Sequence, residues 1–94
     1  MEESTKMALY LITYDLNEEK DYDSLFKKLK EYGTYSHSLS SVWFIETEED
    51  ATQIRDKLVT ELDEDDELLV IEVRRHWASR NLRKGATDWL KNRF

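Results

Sequence analysis

The chain has 94 residues, with 21 Asp and Glu against 14 Lys and Arg for a formal net charge of −7, and 39% of its side chains are hydrophobic. This is one domain with bulk for a single core, and its acidity argues against a generic phosphate-binding surface. The absence of cysteine excludes disulfides, thiolate metal sites and thiol nucleophiles, and with no membrane-spanning apolar run and no cleavable leader pattern the expectation is a cytoplasmic protein without a membrane partner.

Residues 1–7 are mostly polar and expected to be flexible. Ala8 to Tyr14 combines aromatic and β-branched residues without a helical period, which predicts a strand. It runs into Asp15. After a polar loop, Asp21 is placed to cap a helix whose Tyr22, Leu25, Phe26 and Leu29 share one face, and Gly33 supplies the stop. Two short β segments, Thr34 to Leu39 and Val42 to Glu46, flank Ser40 and Ser41. Thr47 and Asp50 resemble a capping box ahead of a helix carrying Ala51, Ile54, Leu58 and Leu62. An acidic turn, Asp63 to Glu67, leads into a last strand, Leu68 to Val73. Residues 78–94 then form a basic helical extension with Leu82, Ala86, Trp89 and Leu90 on one face.

Charge is divided unevenly along this order. Arg74 to Phe94 holds seven basic residues and one acid, +6, leaving seven basic and twenty acidic residues, −13, in the rest.

The order β-α-β-β-α-β followed by a helix predicts an α+β fold, a ferredoxin-like βαββαβ domain with an added C-terminal helix. Its strands are apolar on both parities. Tyr10 and Ile12 alternate with Leu9 and Leu11, Val42 and Phe44 with Trp43 and Ile45, and Leu68 and Val70 with Leu69 and Ile71. Two helices cover only one face of such a sheet, so the second needs the C-terminal helix, a second copy, or both. A homodimer is expected, with Trp43 and Ile45 at its interface.

The segments "YLITYDLN", "LSSVWFIET" and "DEDDELLVIEV", in this order and spacing, resemble the CRISPR-associated Cas-two superfamily, which includes the virulence-associated protein D branch. The "WASRNL…ATDWLKN" tail is similar to SinR-type members, rather than to adaptation proteins that close with a further strand. The resemblance implies a ferredoxin-like dimer. In nuclease-active members, an aspartate ending the first strand faces its copy across the dyad, and the pair holds one divalent metal. Position for position this is Asp15, which implies a catalytic and metal-ligating role with Mg²⁺ or Mn²⁺ and an RNA or DNA substrate. Ser41 and Val42 fall where the family has a Ser-Val entry to the third strand, which implies contacts from Ser40 and Ser41 to phosphate or to a metal-bound water.

Each candidate also has a plainer reading. A single carboxylate binds Mg²⁺ weakly, whereas two brought together would bind it usefully, and the metal would stabilise phosphoryl charge. Asp15 could instead accept backbone N–H bonds in the loop behind the strand. His37 could serve as a general base or simply pack, and the Asp63 to Glu67 turn lacks the spacing of a calcium loop. Arg74, Arg75, Arg80 and Arg83 interleave with Trp77 as in a nucleic-acid groove; alternatively the tail packs Leu82, Trp89 and Leu90 while its cations pair with the acidic body. The overall readings are a metal-dependent nuclease and a non-catalytic dimeric scaffold, with a small-molecule-binding ferredoxin-like regulator disfavoured because the sequence has no glycine-rich phosphate loop.

Overall fold

The computed structural model describes residues 7–16, 22–74 and 76–93. Along them run β1 (Ala8–Asp15), α1 (Asp23–Lys30), β2 (Tyr35–Leu39), β3 (Val42–Thr47), α2 (Ala51–Val59), β4 (Glu67–Val73) and α3 (Lys84–Arg93). The strands form one sheet in the order β2-β3-β1-β4, and every neighbouring pair is antiparallel. This is the ferredoxin-like α+β arrangement with an added C-terminal helix. Of residues 1–7, only Met7 is among those described.

Alternation decides which side of the sheet each residue takes. Tyr10, Ile12, Tyr14, Trp43 and Ile45 project toward α1 and α2, where they meet Leu25, Leu29, Ile54 and Leu58 in the core. Full burial of each large aliphatic or aromatic side chain there is worth about 1.5–3 kcal/mol relative to exposure.

The helix ends differ in detail from the sequence expectation. Tyr22 stands at the N-cap of α1 without a side-chain cap bond, while Asp21 lies outside the described residues. Asp23 in the first turn and Lys27, Lys28 and Lys30 in the last still complement the helix dipole. Gly33 takes φ 82°, the left-handed value that turns the chain into β2. The capping box of α2 is three residues further on than expected. Asp50 accepts from the Gln53 N–H at 2.8 Å, and Gln53 Oε1 accepts from the Asp50 N–H at 2.9 Å. Thr47 cannot take this part because it is the buried last residue of β3.

Ahead of α2, Glu49 joins the helix to the end of α1. Its carboxylate accepts from Tyr32 Oη at 2.8 Å and pairs with Lys57 Nζ. Burial pushes the Glu49 carboxyl upward, but the bonds from Lys57 and Tyr32 outweigh it and hold the group below the usual carboxylate range. The folded state therefore gains stability from ionised Glu49 above about pH 4.5, its ordinary value, and loses it as pH falls through the lowered folded value. Glu49→Gln is expected to flatten the acid limb of the thermal stability profile below that pH; differential scanning fluorimetry across pH checks it.

The second face of the sheet is covered only in part. α3 lies over β2 and β3, burying Ala86 and Leu90 and setting Trp89 against Phe44 at 6.4 Å between ring centroids. The Arg93 guanidinium stacks over Trp89 at 4.8 Å, and its Nε approaches Glu46 Oε1 at 3.3 Å without hydrogen-bond geometry, so the contact is an ion pair alone. The helix begins later than the expected extension, because residues 76–83 cross the face without regular structure. Toward β4 the cover ends, leaving Leu69 and Ile71 about half exposed.

Trp43 and Ile45 require a correction. Both are 0% exposed within one protomer and belong to the helix-facing core, so neither can form a surface between copies. A one-position difference along β3 explains the error: Phe44 and Val42 take the second face, and both parities are apolar.

Candidate functional site

Asp15 ends β1 on the side of the sheet away from α1 and α2, in the same parity as Thr13 and Leu11. Its carboxylate is exposed and makes no hydrogen bond or ion pair with the described residues. A turn-capping role would need backbone N–H donors, and none among the described residues bonds to it. Directly across the ladder stands Glu67, its Cα partner in the β1–β4 pairing. Cross-strand partners share a face, so two acids lie side by side at one end of the sheet, in a shallow depression also lined by Thr13 and Leu69.

The sequence reading missed Glu67, because 51 positions separate it from Asp15. It was assigned to the acidic turn, and only the antiparallel register of β4 against β1 makes it a neighbour. The rest of that turn has structural work. Asp66 accepts from Tyr22 Oη at 2.9 and 3.1 Å and from the Asp63 N–H at 2.8 Å, which fixes the entry to β4 beside α1.

Ser40 and Ser41 form the β2–β3 turn. The β1–β3 pairing reaches Thr13↔Val42, so this turn stands at the same end of the sheet as Asp15. The Ser40 carbonyl accepts from Tyr14 Oη at 3.3 Å and lies 3.1 Å from His37 Nε2. Tyr14 Oη in turn accepts from Trp43 Nε1 at 3.1 Å. Burial raises the Tyr14 phenol above its ordinary value despite that opposing bond, and it stays protonated as the donor to Ser40. These bonds tie the tip of β1 to the serine turn.

His37 has the packing role. Its ring stacks on Trp43 at 4.1 Å and 13°, on the helix side of the sheet, whereas Asp15 faces the other way. It is therefore not a base for chemistry at Asp15.

Arg74 does not stand at Asp15. Arg74 follows Val73, the partner of Leu9, while Asp15 pairs with Glu67; six residues of strand put these ends about 20 Å apart. Arg74, Arg80 and Arg83 are exposed, without an ion pair to the described residues. Arg75 lies outside the described residues. The two readings of the tail thus divide between its parts. α3 packs and pairs Arg93 with Glu46, whereas the arginines of the connecting segment leave their charge in solvent.

The donor set decides which metal this end could hold. Among the described residues no group of three or more His, Cys, Asp and Glu side chains is placed to bind an ion. Asp15 and Glu67 offer hard carboxylate oxygens without imidazole or thiolate, which suits Mg²⁺ or Mn²⁺ completed by water and phosphate rather than zinc.

The architecture, with a carboxylate closing the first strand on an open sheet face, defines a small ferredoxin-like protein. Residues 7–81 match the family CRISPR associated protein Cas2, and the chain belongs to that family. Membership links it to a CRISPR-associated, nucleic-acid-related role. No curated protein matches the chain. The α3 helix lies beyond the matched span. Among the described residues no helix is long and apolar enough to cross a membrane.

Proposed function

We propose that the chain is a cytoplasmic, homodimeric Cas2-type protein of the SinR-like branch, and that it hydrolyses phosphodiesters of RNA or DNA with Mg²⁺ or Mn²⁺. The observation that carries this reading is the Asp15 carboxylate, held free at the end of β1 against Glu67. Two acids placed opposite one another in a ladder repel by about 0.2–1 kcal/mol. Among the described residues no cation neutralises this pair, and a bound divalent ion would.

Asp15 and Glu67 would hold the ion, with Asp15 of the second copy contributing across the dyad. When bound, such an ion supplies charge stabilisation to phosphoryl oxygens and activation of water. Ser40 and Ser41, on the turn at the same end, would offer hydroxyl and backbone donors to a phosphate. The Tyr14 and Trp43 bonds keep that turn fixed relative to Asp15.

Asp15→Asn is expected to lower Mg²⁺-dependent cleavage of labelled RNA or DNA by at least about 100-fold, the scale of removing one preorganised electrostatic group. The same variant is expected to be as stable as the wild type or more so, by up to about 1 kcal/mol, because repulsion from Glu67 is relieved. Cleavage assays with EDTA controls and thermal melts check the pair of results. Equal cleavage by both proteins would remove the catalytic role, and destabilisation by the variant would return Asp15 to a structural one.

The non-catalytic scaffold is the second reading. It is favoured by the lack of any group of three or more ligating side chains among the described residues. Under it neither protein cleaves, and metal leaves the melting temperature unchanged.

A further inference from the structure

Residues 76–82 cross the second sheet face before entering α3, and beneath them the chain leaves a cleft of about 570 Å³. Its floor is apolar, with Leu11 of β1, Val42 and Phe44 of β3 and Val73 of β4, while Trp77 closes it from the crossing segment. Arg74 and Arg80 also line it, and both are exposed. An otherwise strongly acidic chain, −13 outside its tail, thus places cations at the mouth of an apolar slot. At Val42 the cleft reaches the strand position paired with Thr13, and Thr13 lines the depression that holds Asp15 and Glu67. Cleft and acidic depression are adjacent on one face.

We propose that this cleft is a subsite for an unpaired nucleotide of single-stranded nucleic acid, its base between Phe44 and Trp77 and its phosphates at Arg74 and Arg80. It deepens the nucleic-acid reading given above and rests on it. Two planar aromatic side chains on an apolar floor give a base a stacking surface without reading its sequence, and the guanidiniums track the backbone charge. A duplex keeps its bases stacked inside, so its base faces cannot enter a slot of this size. A strand seated here would continue across the Val42 and Thr13 pair toward Asp15, on the same face. The cleft therefore selects single strands for the end of the sheet where the carboxylates stand.

The test is fluorescence anisotropy of short labelled oligothymidylate and oligouridylate, with a duplex of equal length, all in EDTA so that cleavage plays no part. The wild type is expected to bind the single strands at least about tenfold more tightly than the duplex, the scale of stacking one base. Ser79→Trp fills the cleft from an exposed position on the crossing segment, and Arg74→Gln with Arg80→Gln removes the cations. Each is expected to weaken single-strand binding about tenfold or more, and the arginine pair should lower the slope of log K against log salt by about 1.4. Ser79→Ala should bind as the wild type does. Melting curves establish that each variant is folded.

Equal binding of duplex and single strand, or wild-type binding by Ser79→Trp and the arginine pair, overturns the subsite and leaves the nucleic-acid reading standing. Dimer loss in Ser79→Trp with unaltered binding would assign the cleft to a second copy instead. Failure of the wild type to bind any of the three probes overturns the subsite, and the metal-dependent reading is then decided by the Asp15→Asn cleavage assay.

Discussion

Trp43→Ala is expected to lower the unfolding free energy by about 3–5 kcal/mol. The side chain is 0% exposed, and it is the hub of the aromatic cluster at the end of the core. His37 stacks on it at 4.1 Å, and Phe26 and Tyr35 each lie 5.8 Å from it between ring centroids. The truncation leaves a cavity that these neighbours can only partly close, and removes the N–H that Tyr14 Oη accepts. Against a total of about 5–15 kcal/mol for an ordinary domain this is a large share, and each kcal/mol corresponds to about 4–8 °C at this size. Trp43→Phe keeps most of the ring volume and should recover more than half of the loss. Urea titration with circular dichroism measures both. A cost under about 1 kcal/mol for Trp43→Ala would place the residue outside the core, as the interface expectation had it.

Ile71→Lys is expected to act in the opposite way. Ile71 is 49% exposed and its neighbour on the same face, Leu69, 55%, so a lysine there should change protomer stability by no more than about 0.5 kcal/mol. In a homodimer formed through the uncovered half of the second face, the same lysine becomes a buried, unpaired charge. The cost of about 3–5 kcal/mol weakens association by roughly 10²–10³-fold or more. Sedimentation velocity over a range of concentrations should show a folded monomer. Ile45→Lys, by contrast, should unfold the protomer, because Ile45 is 0% exposed. A dimeric Ile71→Lys protein would exclude this face as the interface.

The Trp43 and Ile45 correction shows where pattern reading stops. A strand apolar on both parities says that both its faces are covered, but alternation alone does not say which parity meets the helices. That choice depends on the register of β3 against β1, where Ile12 faces Trp43 and Leu11 faces Phe44. In β2 the pairing slips between Ser36 and Leu39, and Ser38 and Leu39 both come to line the cleft. Such a bulge redirects side chains without any mark in composition.

Asp15 could be singled out from the sequence because an acid ends an apolar strand and because the spacing resembles a family. Glu67 could not, being one of five consecutive acids, Asp63 to Glu67, distinguished only by its ladder partner. The arginines were visible as a charge asymmetry. The distance of Arg74 from Asp15 was not, since β1 and β4 run antiparallel and place Arg74 at the far end.

The sequence by itself determined the order of elements, the helix faces carrying Leu25, Leu29, Ile54 and Leu58, the stop at Gly33, and the need to cover a second sheet face. These follow from local periodicity and from apolar surface that water disfavours, both properties of short stretches of chain. The tertiary structure alone decided that Trp43 and Ile45 are core, that Glu67 stands beside Asp15, and that the crossing segment leaves a cleft lined by Phe44, Trp77, Arg74 and Arg80. Each depends on strand register or on the path of a segment without regular structure. Those are fixed by contacts between residues distant in sequence, which periodicity does not encode.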